Sequence, residues 1–258
     1  MSALTEVTAR RIVRAEWIKL TTLRSTIALF AASVVVLLGL GVLASLLTVN
    51  DWETMSVAQR DAVRVGGRVY AGRLLAELIV GVLGALAISG EYATGTISAT
   101  LTAVPRRLPV LWAKLGLYAA ITFGLMLAAS FATFFVGAEI LAAHWDFHLS
   151  DPGTLRVVAM SGTNLTVVCV LGLAIGFVLR NTAAAISTLI GIVLLAPLLF
   201  SQFAPRIAEY LPSGAMGALV TTTPEANVLA LWPAFVLLCI YVVAAVVAAA
   251  VALTRSDI

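Results

Sequence analysis

The stretch Thr26-Ile-Ala-Leu-Phe-Ala-Ala-Ser-Val-Val-Val-Leu-Leu-Gly-Leu-Gly-Val-Leu-Ala-Ser-Leu-Leu-Thr-Val49 runs for 24 residues without one charged side chain. A helix of that length crosses the roughly 30 Å hydrocarbon core of a bilayer, and it is too long for the apolar centre of a cleavable signal peptide. It reads as a spanning anchor. The whole chain of 258 residues keeps this character, at 61% hydrophobic and 11% charged, which is too apolar for an ordinary soluble domain. Its apolar runs lie near or above about twenty residues and do not alternate over about ten, so helices are favoured over an outer-membrane barrel. The expectation is an all-α integral membrane protein, a single transmembrane domain over residues 1–258. Six transmembrane helices are placed at about 26–49, 70–89, 115–141, 157–179, 183–203 and 228–253.

Just before the anchor, Arg10, Arg11, Arg14, Lys19 and Arg24 set five cations around an apolar side that includes Val13, Trp17 and Leu20. Residues 10–24 therefore read as an interfacial helix in the headgroup layer; a basic flank that merely orients the first span is the plainer alternative. Such a flank favours a cytoplasmic N-terminus. Six spans then return the C-terminus to the same side, which gives a multi-pass protein of the cell inner (plasma) membrane with both termini cytoplasmic. On this topology ten Lys and Arg sit at cytoplasmic segment ends and six outside. That bias explains the formal charge of +3, and no nucleic-acid partner is expected.

Between spans two and three the lipid pattern is interrupted by Ser89-Gly-Glu-Tyr-Ala-Thr-Gly-Thr-Ile-Ser-Ala-Thr-Leu-Thr-Ala-Val-Pro-Arg-Arg-Leu-Pro-Val-Leu-Trp-Ala-Lys114. Gly90 weakens the preceding helix, and Glu91 suits the positive N-terminal end of a new short one. Ile97, Leu101, Val104 and Leu108 then form an apolar stripe, while Thr96, Ser98, Thr100 and Thr102 leave a hydroxyl-rich surface. Pro105 and Pro109 bring the short helix to a stop before span three. Arg106, Arg107 and Lys114 mark the cytoplasmic face. Segment 90–114 reads either as a docking helix or as a plain loop carrying positive-inside charges.

Glu91-Tyr92, Gly95-Thr96-Ile97, Leu101, Pro105-Arg106-Arg107 and Lys114 resemble the coupling-helix segment of type 2 ABC transporter permeases, the membrane subunits of bacterial exporters. Glu16-Trp17, Lys19-Leu20 and Arg24-Ser25 resemble the elbow helix that opens the same family. Leu211-Pro212-Ser213-Gly214-Ala215-Met216, between apolar runs five and six, resembles its broken extracellular helices before span six. The resemblance implies a permease paired with a second permease subunit, with a homodimer expected, and coupled to separate ABC ATPase subunits. It implies an ATPase-coupling interface of Glu91, Tyr92, Gly95, Thr96, Ile97 and Leu101, and an interfacial helix carrying Glu16, Trp17, Lys19 and Arg24. ATP and Mg would enter through the partner ATPase, with no cofactor in this chain. Consistent with that division, the chain has no Gly-x-x-x-x-Gly-Lys-[Ser/Thr] phosphate loop, so it is not expected to be an enzyme.

Other polar residues offer weaker signals. Glu77, within span two, and Asn164, within span four, are the candidate substrate-pathway residues, set against an Arg73–Glu77 neutral pair and interhelical packing as plainer uses. Arg60, Arg64 and Arg68 form a helical stripe suited to anions or to a solvated face. His144 and His148 stand one turn apart but lack a full ligand set, and no metal is expected. Cys169 and Cys239 lie in apolar runs. Gly124 and Gly137 in span three are small residues that permit close helix approach, Pro197 is expected to kink span five, and Arg180 marks the cytoplasmic link between spans four and five. A proton-coupled secondary transporter and a non-transporting, immunity-type membrane protein are the alternatives to the exporter.

Overall fold

The computed structural model describes residues 8–57, 60, 68–97, 107–145, 148–221 and 228–255. These form α1 (Ala9–Thr22), α2 (Arg24–Asn50), α3 (Arg73–Ala93), α4 (Leu108–Leu141), α5 (Thr154–Leu179), α6 (Thr182–Phe203), α7 (Pro205–Ala208), α8 (Pro212–Val220) and α9 (Leu231–Thr254). No strand occurs among the described residues. Six of these helices, α2 to α6 and α9, are long and apolar enough to cross a membrane. The protein is thus a helical multi-pass membrane protein. Leu101, Val104, Pro105, Arg106, Arg64 and Asp146 lie outside the described residues, and Leu108, the last position of the expected docking stripe, opens α4.

The bundle is centred on α5, with α3 and α4 against it and α2 closing over α3 and α4. Helix α9 packs on α5, α6 crosses α3 and α5, and α8 fits between α9 and α5. The end carrying α1 is called basal below and the opposite end apical. In α2 the buried positions are Thr26, Phe30, Ser33, Leu37, Gly41, Ser45 and Thr48, while Val35, Leu43 and Leu46 are exposed. Small and hydroxyl-bearing residues thus face the neighbours and large aliphatic ones face outward. This is the packing logic of lipid, where close backbone approach replaces the hydrophobic drive between helices.

The tightest seam joins α3 and α5. A Cβ on Gly172 would stand 2.1 Å from the Gly81 carbonyl oxygen, and one on Gly84 would stand 2.1 Å from that of Cys169. Both contacts are backbone, so no side chain can yield. In α4, Gly137 presses on Val69, whereas Gly124, expected to serve the same purpose, faces open space. Polar groups close the remaining gaps: Ser130 Oγ donates to the Val158 carbonyl at 2.7 Å, and Tyr70 donates to the Ser130 carbonyl at 3.0 Å.

Several element ends differ from the sequence reading. Span two does not stop at Gly90. Helix α3 continues to Ala93 and turns at Thr94 and Gly95, because Gly95 alone supplies the left-handed φ of 70°. Span three starts at Leu108 and not at Leu115. Pro109 lies in the first turn, where its missing N–H costs nothing, so it opens the helix and does not break it. Pro197 was expected to kink span five; α6 answers with a π turn over Gly191–Leu195 just before it. Arg24 belongs to α2, since extended Leu23 ends α1 one residue earlier.

These contacts yield a graded expectation for stability in detergent. Gly172→Leu should cost about 3 kcal/mol or more, since it overpacks against backbone. Gly124→Leu should change unfolding by less than about 1 kcal/mol. Thermal unfolding of the two purified variants checks the contrast, and equal behaviour would remove the glycine seam as the determinant of packing.

Candidate functional site

Four charged side chains from three elements meet at the basal end. Lys114 Nζ lies 2.6 Å from Glu16 Oε2 and 2.9 Å from Glu91 Oε1, and it donates to the Ala87 carbonyl at 3.2 Å. Lys19 Nζ completes the ring at 3.0 Å from Glu16 Oε1 and 2.9 Å from Glu91 Oε1. Glu16 and Lys114 are each 1% exposed. A lone charge so placed would face a desolvation penalty of several kcal/mol, so Glu16 and Lys114 must be buried together, with the partly exposed Lys19 and Glu91 bonded at their edge. The cluster ties α1, the end of α3 and the start of α4 into one basal block.

The local sequence explains how each member arrives. Leu23 is extended, which lets α1 fold back from α2 and lie against α4. Ile12, Glu16 and Leu20 are its buried positions, with Ile12 against Val110. Val13 and Trp17 are exposed on the protein's surface, while Glu16 takes the face turned to the bundle, where it meets Lys114. Glu91 does not open a new helix as expected. It sits in the last turn of α3, where the helix dipole disfavours an acid, and its two lysine partners offset that. The expected place of Glu91 at the start of a new helix gives way to this internal pairing.

Beyond Glu91 the chain is arranged for a sharp exit. Thr94 Oγ1 donates to the Gly90 carbonyl at 2.9 Å and the Gly95 N–H to that of Tyr92 at 3.2 Å. Thr96 is exposed, and Ile97 returns to the core at 3% exposure. Tyr92 is half-buried with the Arg180 guanidinium 5.7 Å above its ring centre. Arg180 and Arg107 each donate to a carbonyl in the last turn of α9, those of Ala252 and Leu253. Cations there satisfy free carbonyls and the negative helix end together. The sequence reading counted Arg107, Lys114 and Arg180 only as sidedness markers; their roles as caps and counter-charge depend on helices distant in sequence.

Apart from Trp17 and Arg24, the remaining candidates lie away from the basal end. Glu77, 4% exposed, is 3.5 Å from Arg73 on the same helix. Asn164 is fully buried and donates to the Met216 carbonyl at 2.9 Å, holding α8 on α5. The two are thus engaged within the fold and are not part of the basal cluster. Arg60 donates to the Trp52 and Glu53 carbonyls and lies over the Trp52 ring. His144 packs on Trp52, and the His148 N–H donates to Asp151. Trp17 and Arg24 are exposed on the basal surface.

No family model, curated protein or solved structure matches this chain.

Burial raises the pKa of the Glu16 carboxyl, but Lys114 first and Lys19 second outweigh it and leave the value lowered. A carboxylate lowered on folding adds stability above its unfolded pKa and loses it as pH falls through the folded one. Docking of α1 should therefore hold from neutrality down to the ordinary carboxylate range and fail below it. The mobility of a spin label at Arg14→Cys reads this, and a transition near neutral pH would contradict it. Lys114→Met, which strands two buried acids opposite a single cation, should cost about 3–5 kcal/mol of unfolding free energy.

Proposed function

We propose that this chain is the membrane-spanning permease subunit of an ATP-driven exporter of the type 2 ABC kind, working as a dimer above separate ATPase subunits. The observation that carries the reading is the convergence of Glu16, Lys19, Glu91 and Lys114. These residues come from the two stretches that resemble the family's elbow and coupling segments, and they bond to one another. A coupling device needs stiffness between the point pushed and the helices that move. Force applied at the turn of Thr94 and Gly95 would pass through Glu91 to α1 and α4 at once. ATP binding in the partner would then bias the bundle between two packings.

Sidedness fits the same reading. Among the described residues the basal end carries nine Lys and Arg against two acids, and the apical end five against six. The basal end is then cytoplasmic by the positive-inside rule, where an ATPase would reach it. Exposed apolar side chains on α2, α6 and α9 supply surface for lipid and for the second subunit. Proton-coupled transport would draw on Glu77, but that acid stands one turn into α3 beside Arg73 and not at mid-span. It is the weaker reading.

A photo-crosslinker at exposed Thr94 should capture a soluble ATPase subunit in native membranes. No ATPase adduct there would sink the proposal. Gly95→Val places a β-branched residue at a left-handed φ with open space around its Cβ, a purely backbone strain of about 1–2 kcal/mol. It should lower coupled transport while the chain still inserts.

A further inference from the structure

At the apical end a cavity of about 440 Å³ opens between the last turns of α6, the short α7 and α8, with Pro197, Ser201, Glu209, Ser213, Gly217 and Thr221 in its wall. Its size falls in the range of small-molecule sites. Three features set it apart from a packing gap. First, among the described residues Glu209 is its one charged lining residue, half-buried and without an ion pair; Arg206 on the preceding short helix is exposed and does not bridge to it. Second, Ser213 Oγ is buried with no hydrogen-bond partner. Third, the wall is built on irregular backbone. The Ala196 N–H bonds back to Gly191 across the π turn, and Pro197, which lines the cavity, offers no N–H. Among the described lining residues the Glu209 carboxylate has no cation to balance it.

We propose that this cavity binds the ammonium head of a cationic amphiphile, with Glu209 as counter-charge and the hydroxyl of Ser213 beside it. An ammonium supplies the charge and the donors that the wall lacks. The apolar tail has a path, because Phe203, Ile207 and Tyr210 present exposed apolar surface along the same stretch of chain. Two sources share this chemistry, an amino-headed membrane lipid and a free amphiphilic solute. The inference stands apart from the exporter reading, since binding here needs no ATPase.

The test uses the full chain purified in dodecyl maltoside, titrated separately with dodecylammonium, a short-chain phosphatidylethanolamine and dodecyl sulfate, with thermal unfolding as the readout. A saturable stabilisation by either ammonium probe, absent with the sulfate, is expected, and Glu209→Gln should weaken it at least tenfold. Response to the phosphatidylethanolamine alone assigns the site to lipid; response to the free amphiphile alone assigns it to solute. Gly217→Leu is the second variant. Its Cβ meets open space, so the side chain can occupy the cavity without displacing neighbours, and it should block binding with folding intact. Binding unchanged in both variants, or none to either ammonium probe, overturns the proposal.

Discussion

A lysine with 1% of its surface exposed, near the start of a membrane helix, constrains everything around it. Lys114 can keep its charge there only if carboxylates reach it, and both carboxylates come from elsewhere in the chain. Glu16 must be brought by a helix that folds back on the bundle, which fixes the break at Leu23 and the rotation of α1. Glu91 must still be helical when it arrives, which carries α3 past Gly90 and moves the turn to Gly95. Lys19 then balances the sum. Four residues thereby dictate where three helices start, stop and face.

The rest of the fold supplies a rigid body for this block. Gly81, Gly84 and Gly172 bring α3 and α5 to backbone contact, so a displacement at the basal end of α3 must be shared by the central helix. The spans around that centre, α2, α6 and α9, keep large exposed apolar faces. The centre of the bundle is thus closely packed, and under the exporter proposal it would carry motion from the basal end as one body.

What the sequence made legible followed from composition and length. Six apolar runs gave six helices because runs near twenty residues satisfy their own backbone in lipid only as helices, whereas the strands of a closed barrel need about ten. Breaks were harder. Gly90 and Gly95 look alike on paper, and only the pull of Glu91 toward two lysines decides between them. The face of α1 that meets the bundle was not legible either, because it centres on charged Glu16 and no apolar pattern marks it. The site residues were named from a resemblance, yet their mutual bonding spans up to 98 positions, as from Glu16 to Lys114, which no local pattern encodes. Pro109 and Pro197 were read as interruptions; tertiary context made one a helix start and the other the companion of a π turn.

The central claim is that the basal charges act as one unit, and a double-mutant cycle between Glu16→Gln and Lys114→Met measures it most directly. Unfolding free energies in detergent should show the pair coupled by about 1–3 kcal/mol, the double variant losing less than the two singles together. Additive losses would mean that Glu16 and Lys114 are merely neighbours, and the mechanical account of the basal block would fail.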